Sequence, residues 1–188
     1  VSRADFLFGL SSGSTSDPKI IIWSQYAKIL RSKHAKKLYS LNSDDKIILS
    51  TPMYHSISFR LIFLPIYLNC TCIILDIFSP KKWVNNIFKY KITFSILVAD
   101  QIEQISKFLN NKKIISLRKL VSCCSPLSVK TKKKLVKTSK ITTFDTYGAS
   151  EVGTITNINL KSEHKKLSSN GKLTPGFKAK ILNDSKFI

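Results

Sequence analysis

Acidic side chains are scarce in this chain: Asp and Glu supply 11 of its 188 residues against 31 Lys and Arg, a formal net charge of +20. Such an imbalance invites a nucleic-acid reading. The basic residues are mostly lysines spread along the chain, however, and they accompany an excess of Ile and Asn, as expected from a genome rich in A and T. Only "VKTKKKLVKTSK", residues 129–140, is a concentrated run. Its Val129, Leu135 and Val136 fit a helix with one solvated basic face. Cysteine in metal-binding spacing is also missing. Cys70 pairs with Cys72 and Cys123 with Cys124, neither with the two-residue gap of zinc knuckles, and His34, His55 and His164 are scattered. The expectation is reduced thiols serving as small apolar residues. No uninterrupted apolar run is long enough to span a membrane, because "FRLIFLPIYLNCTCIILDIF" is broken by Arg60, Pro65 and Asn69. Nothing at the N-terminus resembles a signal peptide. A cytoplasmic protein is expected, and 43% hydrophobic residues exclude a disordered chain.

Internal repeats and low-complexity segments are absent too, and strand and helix signals alternate instead. "ADFLFGL" (4–10) reads as a buried strand and "KIIIW" (19–23) as a second, joined by a loop rich in small hydroxyl residues. Ser24 is a candidate N-cap for a helix over 25–39, with Tyr26, Ile29, Leu30, His34 and Leu38 recurring at three- and four-residue spacing. "DKIILSTPMYH" supplies a strand that ends in a loop at Pro52, "ISFRLIFLPIYL" a buried helix interrupted near Pro65, and "CTCIILD" a buried strand. Ser79 caps a helix with Pro80 in its first turn and Trp83, Ile87 and Tyr90 along one side. A strand, a helix, the strand "LRKLVSCC" and the basic helix follow, and from "TTFDTYGASEVGTITNI" onward short strands and turns take over. The pattern predicts an α/β fold: a layered, parallel-rich sheet with flanking helices and a more β-rich C-terminal end.

The loop "SSGSTSDPK" (11–19) carries the most chemistry. Small hydroxyl residues around a glycine let a backbone approach a ligand closely and offer amide and hydroxyl donors; a terminal lysine adds a point charge suited to polyphosphate. It is not a Walker A loop, since Ser16 to Pro18 precede Lys19 and Ile20 follows it. Followed in order by "STPMYHS", "VSCCSPLS", "DTYGASEVG" and "NGKLTPGFKAKI", it resembles the adenylate-forming (AMP-binding) superfamily of acyl-CoA synthetases, aryl-CoA ligases, luciferase and peptide-synthetase adenylation domains.

The resemblance assigns roles. Ser11, Ser12, Gly13, Ser14 and Thr15 match the family's phosphate loop and Lys19 its phosphate-pairing lysine, while Ser16 stands where the family usually has a second glycine. In "YGASE", Tyr147 would stack on adenine, Gly148 belongs to the motif, Ser150 would hydrogen-bond a phosphate and Glu151 would bind Mg²⁺. Cys124, Ser125 and Pro126 match a segment that lines the adenine pocket with backbone, Cys123 and Cys124 replacing two glycines. Asp145 falls where the family often has an amide or acid near adenine, and Thr146 is counted with it among the nucleotide-binding residues. Pro52 and His55 resemble the Pro-x-x-His motif by the acyl pocket, which favours a fatty, aromatic or other simple carboxylic acid. Lys19, Glu151 and His55 are the catalytic candidates, with ATP, Mg²⁺ and coenzyme A, or a carrier-protein thiol, as implied cofactors and partners.

No match appears to the family's ribose-binding Thr/Ser-Gly-Asp motif, its hinge or its small C-terminal domain. The expectation is therefore that residues 1–188 are a central fragment of the large N-terminal domain, with the phosphate loop at 11–19 and the adenine and Mg²⁺ motif at 145–151. Two alternatives stand beside acid activation: a degenerate, non-catalytic nucleotide-binding module, and a basic nucleic-acid-binding domain.

Overall fold

A computed structural model describes residues 1–11, 19–109 and 112–180, together with short strands at 182–183 and 186–187. Its centre is a seven-stranded sheet built from β3 (Lys46–Leu49), β4 (Thr71–Ile74), β5 (Phe94–Val98), β6 (Lys119–Cys123), β7 (Thr142–Ala149), β8 (Gly153–Asn159) and β9 (Lys172–Leu173). The spatial order is β4-β3-β5-β6-β7-β8-β9. Pairing is parallel from β4 to β7 and antiparallel from β7 to β9. The parallel-rich sheet and the β-rich C-terminal end are both as expected.

Helices cover both faces, as parallel strands require. On one face α1 (Gln25–Tyr39) and α2 (Ser56–Leu68) enclose Ala35, Tyr39, Leu61, Leu64, Phe94, Ile96, Val121 and Phe144. On the other, α3 (Pro80–Tyr90), α4 (Ala99–Ile105) and α5 (Val129–Thr138) cover Ile48, Leu97, Leu120 and Ile158 with Trp83, Ile87, Ile102 and Leu135. Ser95, fully buried on this face, accepts a hydrogen bond from Trp83 Nε1 at 3.3 Å. No helix among the described residues is long and apolar enough to cross a membrane.

Ser24 and Ser79 cap α1 and α3 as the sequence predicts, accepting from Ala27 N and Lys82 N. The phase of α1 differs, though. Its buried residues are Lys28, Ser32, Ala35 and Tyr39, while Tyr26 and Leu30 are exposed. Spacing is preserved but the stripe is rotated, because Lys28 places its stem in the interior and its ammonium 3.8 Å from the Trp23 ring centroid, near Phe59 and Phe63.

Helix α2 also departs from expectation by running unbroken through Pro65. Proline removes the donor that would serve the Leu61 carbonyl. Cys72 Sγ, 3.7 Å away on β4, points its thiol to that oxygen instead. Strand β4 is an edge strand and only half-buried.

The first two strands do not join the sheet. β1 (Asp5–Ser11) and β2 (Lys19–Ser24) form a separate antiparallel hairpin with Phe8 opposite Ile22 and Leu10 opposite Ile20. All four of these side chains are exposed, and the strand at 4–10, expected to be buried, is not: only Leu7 and Gly9 on its inner face are half-buried, because the hairpin lies outside the main sheet. The inner face carries Ile21 and Trp23, and Gly9 is needed there: a Cβ would sit 2.6 Å from the Trp23 ring.

The basic helix α5 is not solvated throughout. Lys132 is 3% exposed and pairs at 2.7 Å with Asp145 on β7, itself 4% exposed, and its ammonium also meets the Ser169 carbonyl at 3.3 Å. At the amino ends of the parallel strands, Asp45 accepts from Thr93, Arg118 and the Asn42 amide, tying β3 to β5 and β6.

Two stability measurements follow. Asp145→Asn leaves Lys132 buried with no counter-charge and lowers the urea-unfolding free energy by about 3–5 kcal/mol, whereas Lys132→Met with Asp145→Leu recovers most of the loss. Asp45 has its carboxyl pushed up by burial but lowered overall by Thr93, the Asn42 amide and Arg118. A depressed folded-state value stabilises above the unfolded carboxylate range and is lost as pH falls through the folded one. Acid titration of Asp45→Asn therefore shows a shallower loss of stability below the ordinary aspartate range than wild type.

Candidate nucleotide site at the carboxyl end of the sheet

Three of the motif segments visible in the sequence emerge at one end of the sheet, past the carboxyl termini of the parallel strands β3, β6 and β7. This is where ligands of open α/β sheets bind. Past β3 come Ser50, Thr51, Pro52 and His55; past β6 come Cys124, Ser125 and Pro126; β7 continues into Tyr147 and Gly148 before the turn at Ser150 and Glu151.

The β7–β8 turn is tightly held. Gly148 is enforced by a close backbone approach, since a Cβ would meet the Gly153 carbonyl oxygen at 2.0 Å. Position 153 has φ +92°, a conformation that suits glycine. From across the site the Ser150 carbonyl accepts from Trp23 Nε1 at 3.1 Å and Arg31 Nη1 at 2.9 Å, and Arg31 Nη2 bonds the Glu151 carbonyl. Burial, then the neighbouring Arg60, disfavours charge on Arg31, and the Glu151 carboxylate partly opposes this. Ser150 Oγ lies 2.8 Å from Ser56 Oγ, which draws the loop after Pro52 onto the same turn.

His55, the residue before α2, is exposed with its ring 4.6 Å from that of Tyr54. Glu151 is exposed, and its carboxylate makes no hydrogen bond or ion pair to a described residue. Tyr147 is 57% exposed. Thr146 is tied inward, donating to the Ser122 carbonyl at 2.8 Å. Asp145, expected near adenine, has its carboxylate engaged by Lys132 within the core. Ser125 and Pro126 are exposed beside Cys124. Ser11 ends β1 and Lys19 begins β2, register partners at the end of the hairpin. Ser12, Gly13, Ser14, Thr15 and Ser16 lie outside the described residues.

Cys124 corrects the expectation that all four thiols act as small apolar residues. It is exposed and occupies the left-handed region at φ 71°, where a side chain is strained. The resemblance puts a glycine there. Its Sγ is 3.5 Å from the buried Cys123 Sγ. The hydrogen bond between them lowers Cys124 to about 7 against the opposing effect of burial, with Arg60 adding to the lowering; the same bond, with burial, holds Cys123 protonated. Cys124→Gly is expected to stabilise the protein by about 0.5–1 kcal/mol, the relief of a left-handed side chain less the extra entropy of glycine, read as a higher urea midpoint at unchanged slope.

The residues missed in the sequence are those that assemble the site. Trp23 reads as a strand residue and Arg31 carries no motif; Ser56 closes the "STPMYHS" stretch without an assigned role. Arg60 donates to Thr154 Oγ1 at 2.9 Å and to the buried Tyr39 hydroxyl at 3.5 Å, fixing α2 to β8. No cluster of three His, Cys, Asp or Glu side chains suited to a metal exists among the described residues. Glu151 alone fits a Mg²⁺ ion, which commonly takes one or two carboxylates with the remaining oxygens from phosphate and water. A groove of about 340 Å³ between α2 and β4, lined by Ile62, Pro65, Ile66, Cys70 and Ile74 among others, touches none of the motif residues.

Known structures share this fold. o-Succinylbenzoate CoA synthetase (MenE) from Bacillus subtilis in complex with AMP superposes with a TM-score of 0.90 at 18% identity, over 99% of this chain and 38% of that one. The luciferase-like enzyme of the mealworm Zophobas morio gives 0.82 at 22% identity, over 99% and 45%. ATP-bound MatB from Rhodopseudomonas palustris gives 0.84 at 19%, over 96% and 36%. The chain thus spans less than half the length of each of these structures, and at such identities they establish the fold. Comparison with curated protein sequences gives no match. The AMP-binding enzyme family matches residues 7–187, nearly the whole chain, and this protein belongs to that family.

Proposed function

We propose that this chain forms the nucleotide-binding part of an enzyme that uses ATP to activate a carboxylic acid as its acyl-adenylate, then passes the acyl group to a thiol. The observation that carries the reading is the docking of the Ser150–Glu151 turn onto the phosphate hairpin and α1 by Trp23 and Arg31. That contact supports a single nucleotide site made from segments 127 residues apart.

In this reading the substrate carboxylate attacks the α-phosphorus of ATP, the bond to the bridging oxygen breaks, and pyrophosphate leaves. Such a displacement needs alignment and charge neutralisation rather than an acid or base. Lys19 would offset phosphate charge, with the hydroxyl loop before it; Tyr147 would offer its exposed ring to adenine, and the 124–126 backbone would border it. Bound Mg²⁺, held by Glu151 together with phosphate oxygens, would supply further charge neutralisation. His55, at the start of α2, would border the acyl group, in keeping with a fatty, aromatic or other simple acid. Coenzyme A is the proposed acceptor, a carrier-protein thiol the alternative.

The nucleic-acid reading loses ground, because Lys132 of the basic run is committed to the core. A degenerate, non-catalytic module is the competing outcome of the test.

Calorimetry with Mg·ATP, followed by pyrophosphate release over a panel of carboxylic acids, decides between them. Lys19→Ala and Glu151→Ala should each weaken Mg·ATP binding about 10- to 100-fold, from charged hydrogen bonds of roughly 1.5–3 kcal/mol. Absence of binding to the wild type, or equal binding by both variants, overturns the assignment.

A further inference from the structure

Three of the four thiols are placed where they cannot easily react. Cys70 is raised to about 11 by burial, Cys72 is raised by burial and points to the Leu61 carbonyl, and Cys123 is buried. Cys124 differs in every respect. It is exposed, follows β6 directly, and has its sulfur in contact with that of its chain neighbour. Cys123 also lies 3.8 Å from the Leu97 carbonyl, which fixes its sulfur at the sheet end. A nucleophile at the surface and a second thiol held against it are the two parts of a thiol redox pair.

We propose that Cys123 and Cys124 are a peroxide-sensitive modification site that closes reversibly to a vicinal disulfide. The Cys124 thiolate attacks one oxygen of a hydroperoxide; the O–O bond breaks, the alkoxide or hydroxide leaves and takes a proton from solvent, and Cys124 becomes a sulfenic acid. Cys123 then gives up its proton, its sulfur attacks the Cys124 sulfur, and the S–O bond breaks with loss of water. Two thiols and one hydroperoxide thus yield a disulfide, an alcohol or water, and one further water. A thiolate fraction at neutral pH favours the first step, since Cys124 lies near 7.

The ring is tight. Adjacent Cα atoms are ~3.8 Å apart across a trans peptide, whereas ordinary disulfides span ~4.4–6.8 Å. Strain of this kind places a disulfide among the easily reduced, regulatory ones. Because residues 124–126 are the backbone that the proposed function sets against adenine, closure would also re-shape the nucleotide site; that second consequence rests on the proposed function, the thiol chemistry does not.

The test treats the intact protein with hydrogen peroxide, denatures it in N-ethylmaleimide and weighs it. All four cysteines should react before oxidation and only Cys70 and Cys72 after it, with dithiothreitol restoring the rest. The peptide carrying 123 and 124 should be about 2 Da lighter, two hydrogens lost. Cys123→Ser should halt at a Cys124 sulfenic acid that dimedone traps, and Cys124→Ser should yield no dimedone adduct. Four reactive thiols after peroxide, or oxidation centred on Cys70 and Cys72, overturns the proposal. Oxidised protein should bind Mg·ATP at least about tenfold more weakly than reduced protein, a shift of ~1.4 kcal/mol. If the disulfide forms and affinity is unchanged, the effect on the site is refuted. If neither form binds ATP, the proposed function fails while the mass measurement still decides the thiol chemistry.

Discussion

The carbonyl of Ser150 is the point on which the site depends. It accepts from Trp23 and Arg31, residues of the hairpin and of the first helix, although it belongs to a turn more than a hundred positions later. The hairpin shares no ladder with the main sheet, so the Trp23 bond to that carbonyl acts with the Lys28 ammonium over the Trp23 ring and with aromatic packing to place it. The rings of Trp23 and Phe59 lie 6.1 Å apart and those of Phe6 and Phe63 5.6 Å apart, and such contacts tolerate sliding. Hydrogen bonds to a single carbonyl do not. Glycine at 148 and 153 lets the accepting turn fold close enough to present that oxygen.

The opposite end of the sheet is built for a different purpose. Asp45, Thr93 and Arg118 form a closed polar group where the parallel strands begin, so β3, β5 and β6 start in register. With that end secured, the strands can finish at unequal points: β3 and β6 stop early and leave loops, while β7 carries on into the antiparallel pairing with β8. The loops after the short strands thus lie beside the β7–β8 turn, the arrangement on which the proposed nucleotide site rests.

Order of elements, helix caps and the ladder of motifs were legible in the sequence because each depends on neighbours within a few residues. Ser24 and Ser79 cap as local rules require. What was not legible depended on partners far away. The rotation of α1 follows from aromatic rings on β2 and α2 that accept Lys28, and no pattern within α1 records them. Lys132 sits in a run that reads as surface, and only the fold brings Asp145 to it. Pro65 signalled a break because the stand-in donor for Leu61, the thiol of Cys72, lies on another element. For the site, Tyr147, Gly148 and Glu151 were marked by their motif, whereas Trp23, Arg31 and Ser56 are ordinary residue types whose importance is purely spatial.

Three helices, α1, α2 and α3, end on left-handed Ser40, Asn69 and Lys91 rather than on glycine. Each such ending gives up a fraction of the stability that glycine would secure. With Cys124 they make four left-handed positions, among the described residues, that carry a side chain. The folded state therefore holds several small reserves of conformational tension distributed at the ends of elements, and a replacement at one of them can raise thermal resistance without touching the packing between the layers.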